Sequence, residues 1–165
     1  MKAEAELAAE TTGVVHVPAG EGDTVFLLGD TYTTLLTGAH TGNAFSLLEA
    51  LVPAGTGPPP HVHHAEDETF VLLEGELEFH AGEGVHRAQP GSVIFVPRGT
   101  VHHFANVGDG LARMLFMYSP AGMEAMFPEI GAPGRRGVQA PPLTAEDVRA
   151  LAAVADKYRF SIVPD

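Results

Sequence analysis

Between Asp23 and Pro120 the chain is a series of short apolar runs, each closed by Gly, Pro or Asn: TVFLLG, TYTTLLTG, AFSLLEALVPAG, TFVLLEGELEFHAG, GSVIFVPRG and ARMLFMYSP. The 19 Gly and 13 Pro of the 165 residues read as turns between strands. Short, evenly spaced strands with turn signals describe a sandwich or barrel. The run Glu76-Leu77-Glu78-Phe79-His80 alternates strictly, so Leu77 and Phe79 should face inward and the charged residues water. No internal repeat is present, so one barrel is expected rather than two fused ones. The fold class is all-β, with one core.

The flanks differ from the barrel. Residues 1–22 are polar or small apart from Val14-Val15-His16-Val17, and read as an N-terminal arm that adds an edge strand. Residues 121–165 read as a helical segment packed on the barrel. Ser119 and Pro120 suit the N-cap and first position of a short helix through Phe127, which Pro128 should end. Residues 131–142 form a loop. Thr144 and Asp147 then make a capping-box signature, followed by Val148, Leu151, Ala152, Ala155 and Tyr158 at helical spacing.

Acidic residues outnumber basic ones by 21 to 9, a formal charge of -12. Such a surface repels phosphate backbones and anionic lipid heads, so nucleic acid and membrane are excluded as partners. The absence of cysteine removes disulfides, thiolate metal sites and cysteine nucleophiles. MKAEAELAAE has no apolar core and does not read as a signal peptide, and no apolar run approaches the roughly 20 residues that span a bilayer. A cytoplasmic protein is expected.

Two segments carry chemistry. In GTGPPPHVHHAEDETFVLLEG, Gly55 to Gly75, His61 and His63 are two apart on a strand and so share a face. Glu68 follows an acidic turn with the parity of Phe70 and Leu72, so a hairpin would put all three ligands on one inner surface. In GSVIFVPRGTVHHFAN, Gly91 to Asn106, His102 opens a strand after a turn at Pro97 and Gly99. If that strand lies beside the hairpin, His102 completes a set of three imidazoles and one carboxylate. This set suits one divalent transition metal, Fe, Mn, Ni, Co, Cu or Zn, and leaves positions open for chemistry.

The first segment fits G-x5-H-x-H-x4-E-x6-G and the second G-x5-P-x-G-x2-H-x3-N, ten fixed positions in two ordered blocks. They resemble the two motifs of the cupin superfamily, complete in a single-barrel protein. The resemblance implies a double-stranded β-helix, the jelly-roll barrel, with the metal near its centre. His64 and His103 are out of phase with the ligands, and His16, His40, His80 and His86 have no ligating spacing. Glu66 and Asp67 read as solvated turn residues. Glu68 either ligates the metal or acts as a general base.

Between Gly20 and Pro120 the only basic residues are Arg87, Arg98 and Arg113, too few to hold a phosphosugar. Phe70, Leu72 and Phe104 should line the barrel beside the metal, with Phe127, Met123 and Met126 over its open end, favouring an apolar or aromatic substrate. The run PAGMEAMFPEIGAP and the later helix are loosely similar to quercetinase-type dioxygenases. That similarity implies an oxidoreductase that uses O2 on a small hydroxylated molecule. A non-oxidative lyase, isomerase or decarboxylase, or a small-molecule-binding cupin without catalysis, is the alternative. Open sheet edges, and the habit of such cupins, imply a homodimer through residues before Leu28.

Overall fold

A computed structural model of the chain describes residues 13–164. Twelve strands run β1 (Asp23–Leu27), β2 (Asp30–Leu36), β3 (Ser46–Val52), β4 (His61–His63), β5 (Asp67–Glu74), β6 (Leu77–Ala81), β7 (Gly84–Ala88), β8 (Val93–Val96), β9 (His102–Ala105), β10 (Ala112–Ser119), β11 (Ala132–Pro133) and β12 (Phe160–Ile162). They form two antiparallel sheets, one ordered β11-β1-β2-β3-β10-β5-β8 and the other β12-β4-β9-β6-β7. Alternation decides which side chains lie between them. Along β10, Ala112, Met114, Phe116 and Tyr118 are buried, while the intervening Arg113, Leu115, Met117 and Ser119 are partly exposed. Leu77 and Phe79 are buried as their alternation requires. The sheets therefore close face to face on one core, as a jelly roll does.

Two glycines are fixed by close approach. Gly75, between β5 and β6, has φ +82°, and a Cβ there would sit 2.8 Å from Ala112 Cα. A Cβ on Gly57 would fall 2.0 Å from the Phe104 carbonyl oxygen, so only glycine lets this loop lie against β9. Asn106 secures the same region, its Nδ2 donating to the carbonyls of Val52 and Gly110, both at 2.8 Å.

The flanks depart from expectation. Val14–Val17 form no strand; the outer edge of β1 is taken by β11, through Val25 to Pro133 and Phe26 to Ala132. Residues 1–12 of the arm lie outside the described residues. The C-terminal segment is not purely helical, because it supplies β11 to one sheet and β12 to the other. Ser119 is still the last residue of β10, paired with Asp67, so it cannot cap a helix. A 3-10 turn, Met123–Ala125, leads into a helix Met126–Ile130, and Pro128 lies inside it. Proline is tolerated there because first-turn N–H groups have no partner within the helix.

The Thr144 capping box is present. Asp147 N–H donates to Thr144 Oγ1 at 3.2 Å, Thr144 N–H donates to the Asp147 carboxylate at 2.8 Å, and a helix follows over Ala145–Val154. Its inward face differs from the sequence reading. Leu151 is buried, with Val154, Ala155 and Tyr158 against the core, whereas Val148 and Ala152 face solvent. No helix among the described residues is long and apolar enough to cross a membrane.

Candidate metal centre

His61 and His63 point inward from β4, His102 from β9 and Glu68 from β5. One ligand atom from each lies within 4.8 Å of the others. The route to this cluster is not a hairpin. The turn after His63 crosses from one sheet to the other, so β4 and β5 face each other across the core, and Glu68 pairs with Val96 and Tyr118 rather than with a histidine strand. His102 does lie beside β4, in register with His61. The cluster thus bridges the two sheets. The Gly99 N–H donates to the His63 carbonyl at 2.8 Å, joining the turn of the second motif to the strand of the first.

The imidazoles are pre-oriented. His61 Nδ1–H donates to the Pro59 carbonyl at 2.8 Å and His102 Nδ1–H to the Thr100 carbonyl at 2.9 Å, so each turns Nε2 to the centre. Outer hydrogen bonds of this kind fix the ring and tautomer of a ligating histidine. His102 Nε2 lies 2.8 Å from Glu68 Oε2. His63 Nε2 is 3.4 Å from the same oxygen, too poorly aligned for a hydrogen bond, and both His63 ring nitrogens are buried without a partner. An unpaired buried imidazole costs free energy unless something accepts its lone pair. A metal ion at the centre would do so, and the donor set fits one divalent transition metal.

The electrostatics agree. Burial pushes His61 down to about 3, reinforced by its histidine neighbours, so it stands neutral with its lone pair free. Burial alone would raise the Glu68 carboxyl, but His63 and His102 beside it hold it well below the usual carboxylate range. The Glu68 hydrogen bond and charge outweigh burial at His102 and raise it. The cluster thus sets an ionised Glu68 beside His102, whose hold on a proton that carboxylate strengthens, with His61 neutral next to them.

Above the cluster is a cavity of about 60 Å3. Phe70, Phe104 and Phe127 line it; Leu72 does not. Leu72 is fully buried one pair further along β5, beside Met114, where the barrel is filled. Met123, Met126 and Phe127 also line the cavity and are buried, with Phe127 4.8 Å from the Tyr32 ring between centroids. Four aromatic lining residues were not singled out from sequence: Tyr32, Phe116, Tyr118 and Phe160. Inward parity within TYTTLL and ARMLFMYS would have found the first three. Tyr118 stacks edge-on to His63 at 5.3 Å, and burial and the Glu68 charge push its phenol well above the ordinary value, keeping it a neutral donor.

His64, His80, His103 and Asp67 stand apart from the cluster. His64 is exposed and meets Ser161 Oγ at 2.8 Å; His80 stacks on His103 at 4.5 Å on the outer face. Asp67 pairs with Arg98 at 3.1 Å. Glu66 is buried rather than solvated, with Oε2 unpartnered, and burial raises its carboxyl.

Residues 48–118 match the cupin domain family. The chain belongs to the cupins. A tetracenomycin polyketide synthase protein of Streptomyces glaucescens is 31% identical over 104 residues, covering 62% of this chain and 68% of that one. The quercetin 2,3-dioxygenase of Bacillus subtilis is 26% identical over 115 residues, covering 70% of this cupin but 34% of that enzyme. The chain spans between about a third and two thirds of the curated relatives it matches. Among solved structures, a predicted oxalate decarboxylase of Thermotoga maritima superposes with TM-score 0.61 at 21% identity, over 64% of this chain and 99% of that one.

Proposed function

We propose that this cupin is a metal-dependent dioxygenase acting on a small, largely apolar or aromatic substrate that carries an acidic hydroxyl. The observation that carries the reading is a buried three-His, one-Glu cluster opening on a cavity with aromatic walls and neither lysine nor arginine in its lining. His61, His63, His102 and Glu68 would hold the ion, which would supply Lewis acidity and open positions for the substrate oxygen and O2. Glu68, ionised in the same cluster, is the carboxylate able to take the hydroxyl proton where it does not hold the ion. Phe70, Phe104, Phe116 and Phe127 seat the apolar body and exclude water. Tyr118 offers a neutral hydroxyl at the wall. The similarity to quercetin 2,3-dioxygenase supports the oxidative reading.

A non-oxidative reaction on the same substrate class is the second reading, favoured by the similarity to a polyketide synthase protein. Protein loaded in turn with Fe2+, Mn2+, Co2+ and Ni2+ is given flavonols and smaller phenols in an oxygen electrode. Substrate-dependent O2 uptake that His61→Ala abolishes supports the dioxygenase. Turnover at an unchanged rate under argon overturns it in favour of the second reading.

A further inference from the structure

Asp30 opens β2 and is fully buried. Its carboxyl meets two hydroxyls: Tyr32 Oη lies 3.1 Å from Oδ2, and Thr56 Oγ1 lies 2.8 Å from Oδ1. Thr56 Oγ1 is also 2.9 Å from the Pro53 carbonyl oxygen. A hydroxyl has one proton to give, and Pro53 offers only an acceptor. Were Asp30 ionised, one of those two short oxygen–oxygen contacts would hold no proton and would repel. A neutral acid satisfies all three: Asp30 donates to Thr56, Thr56 donates to Pro53, and Tyr32 donates to the second Asp30 oxygen. Burial, only partly offset by these hydroxyls, pushes the Asp30 carboxyl up to about 7.

The neutral acid sits at a junction. Thr56 belongs to the loop 53–60 that runs into β4, and its carbonyl accepts from the Asn106 N–H at 2.9 Å. Further along, Pro58 and Pro59 wall the cavity, and the Pro59 carbonyl orients His61. On the other oxygen hangs Tyr32, whose ring lines the cavity against Phe116 and Phe127. The loop 53–60, PAGTGPPP, and the Leu28-Gly29 turn contain no titratable side chain, and Leu143, which abuts Gly29, has none. Tyr32, from its own strand, is the titratable group that faces Asp30.

We propose that Asp30 is a positioning residue of the metal centre: as a neutral acid it ties β2 to the 53–60 loop and so fixes both the orientation of His61 and the tyrosine wall of the cavity. This rests on the reading of His61, His63, Glu68 and His102 as metal ligands.

The test uses Co2+ as the probe, with the wild-type chain, Asp30→Asn, Asp30→Ala and Thr56→Val. Asparagine copies the neutral acid, its amide donating to Thr56 and its oxygen accepting from Tyr32. At about pH 6, Asp30→Asn should bind Co2+ within about twofold of wild type, while Asp30→Ala and Thr56→Val bind roughly tenfold more weakly. Between about pH 6 and 8.5 the wild type should weaken relative to Asp30→Asn, because an ionised Asp30 loses its donor. The 13C resonance of the Asp30 carboxyl should titrate near neutrality. The proposal is overturned if that carboxyl titrates near 4, if the wild type and Asp30→Asn keep a constant ratio across the range, or if Asp30→Ala binds Co2+ as wild type does. Those outcomes leave the metal reading intact. A wild type that takes up no Co2+ ends both. Should Asp30→Ala fail to fold, the pH trend of Asp30→Asn against wild type decides.

Discussion

Asp30→Asn should change how stability depends on pH, in a calculable direction. In the unfolded chain an aspartate loses its proton near 3.8; in the folded chain Asp30 keeps it to about 7. Between those values the folded state binds the extra proton, so the contribution of Asp30 is fully present below 3.8 and is lost as pH rises through 7. Roughly three pH units at 1.36 kcal/mol each set a ceiling of about 4 kcal/mol. Asparagine cannot ionise and removes this slope. The metal-free wild type and the variant would be unfolded with urea from about pH 4 to 8, and the difference in unfolding free energy followed. Other groups titrate alike in both proteins and cancel, because the amide touches the same neighbours. The variant should match the wild type at the acid end and gain on it by up to about 4 kcal/mol by pH 8. A difference that stays constant with pH, or grows toward acid, would refute the neutral-acid assignment.

His61→Ala and His102→Ala should each weaken metal binding by roughly a hundredfold or more, measured by elemental analysis after dialysis, with the far-ultraviolet spectrum of a folded barrel retained. Full metal content in the double variant would remove the site. Phe127→Ala, at a position 4% exposed, should cost about 3–5 kcal/mol and lower Tm by roughly 6–20 °C; an unchanged Tm with altered ligand affinity would make the segment a movable lid instead. A homodimer through residues before Leu28 should give a light-scattering mass near twice 17.3 kDa at micromolar concentration, and a single-chain mass would reject it.

The strand pattern was legible in the sequence because burial in a two-sheet barrel imposes a period of two, and Leu77, Phe79, Phe70 and Phe104 all obey it. The four candidate ligands were legible because their spacing and parity survive in one dimension. What spans the sheets was not. His63 and Glu68 are five residues apart yet lie on opposing layers, since nothing local says whether a short turn makes a hairpin or crosses the barrel. The same holds for the C-terminal segment. Phe160 reaches His63 only because β12 extends the second sheet, a pairing whose register depends on the partner strand and not on Phe-Ser-Ile itself. Asp30 shows the limit most clearly. Its sequence neighbours mark a turn beside a strand, and only the packing of Thr56 against it, 26 residues away, makes it a buried acid. Sequence alone determined which side chains could turn inward. Tertiary structure decided which of them meet, because contacts between layers are set by chain closure over long separations rather than by local preference.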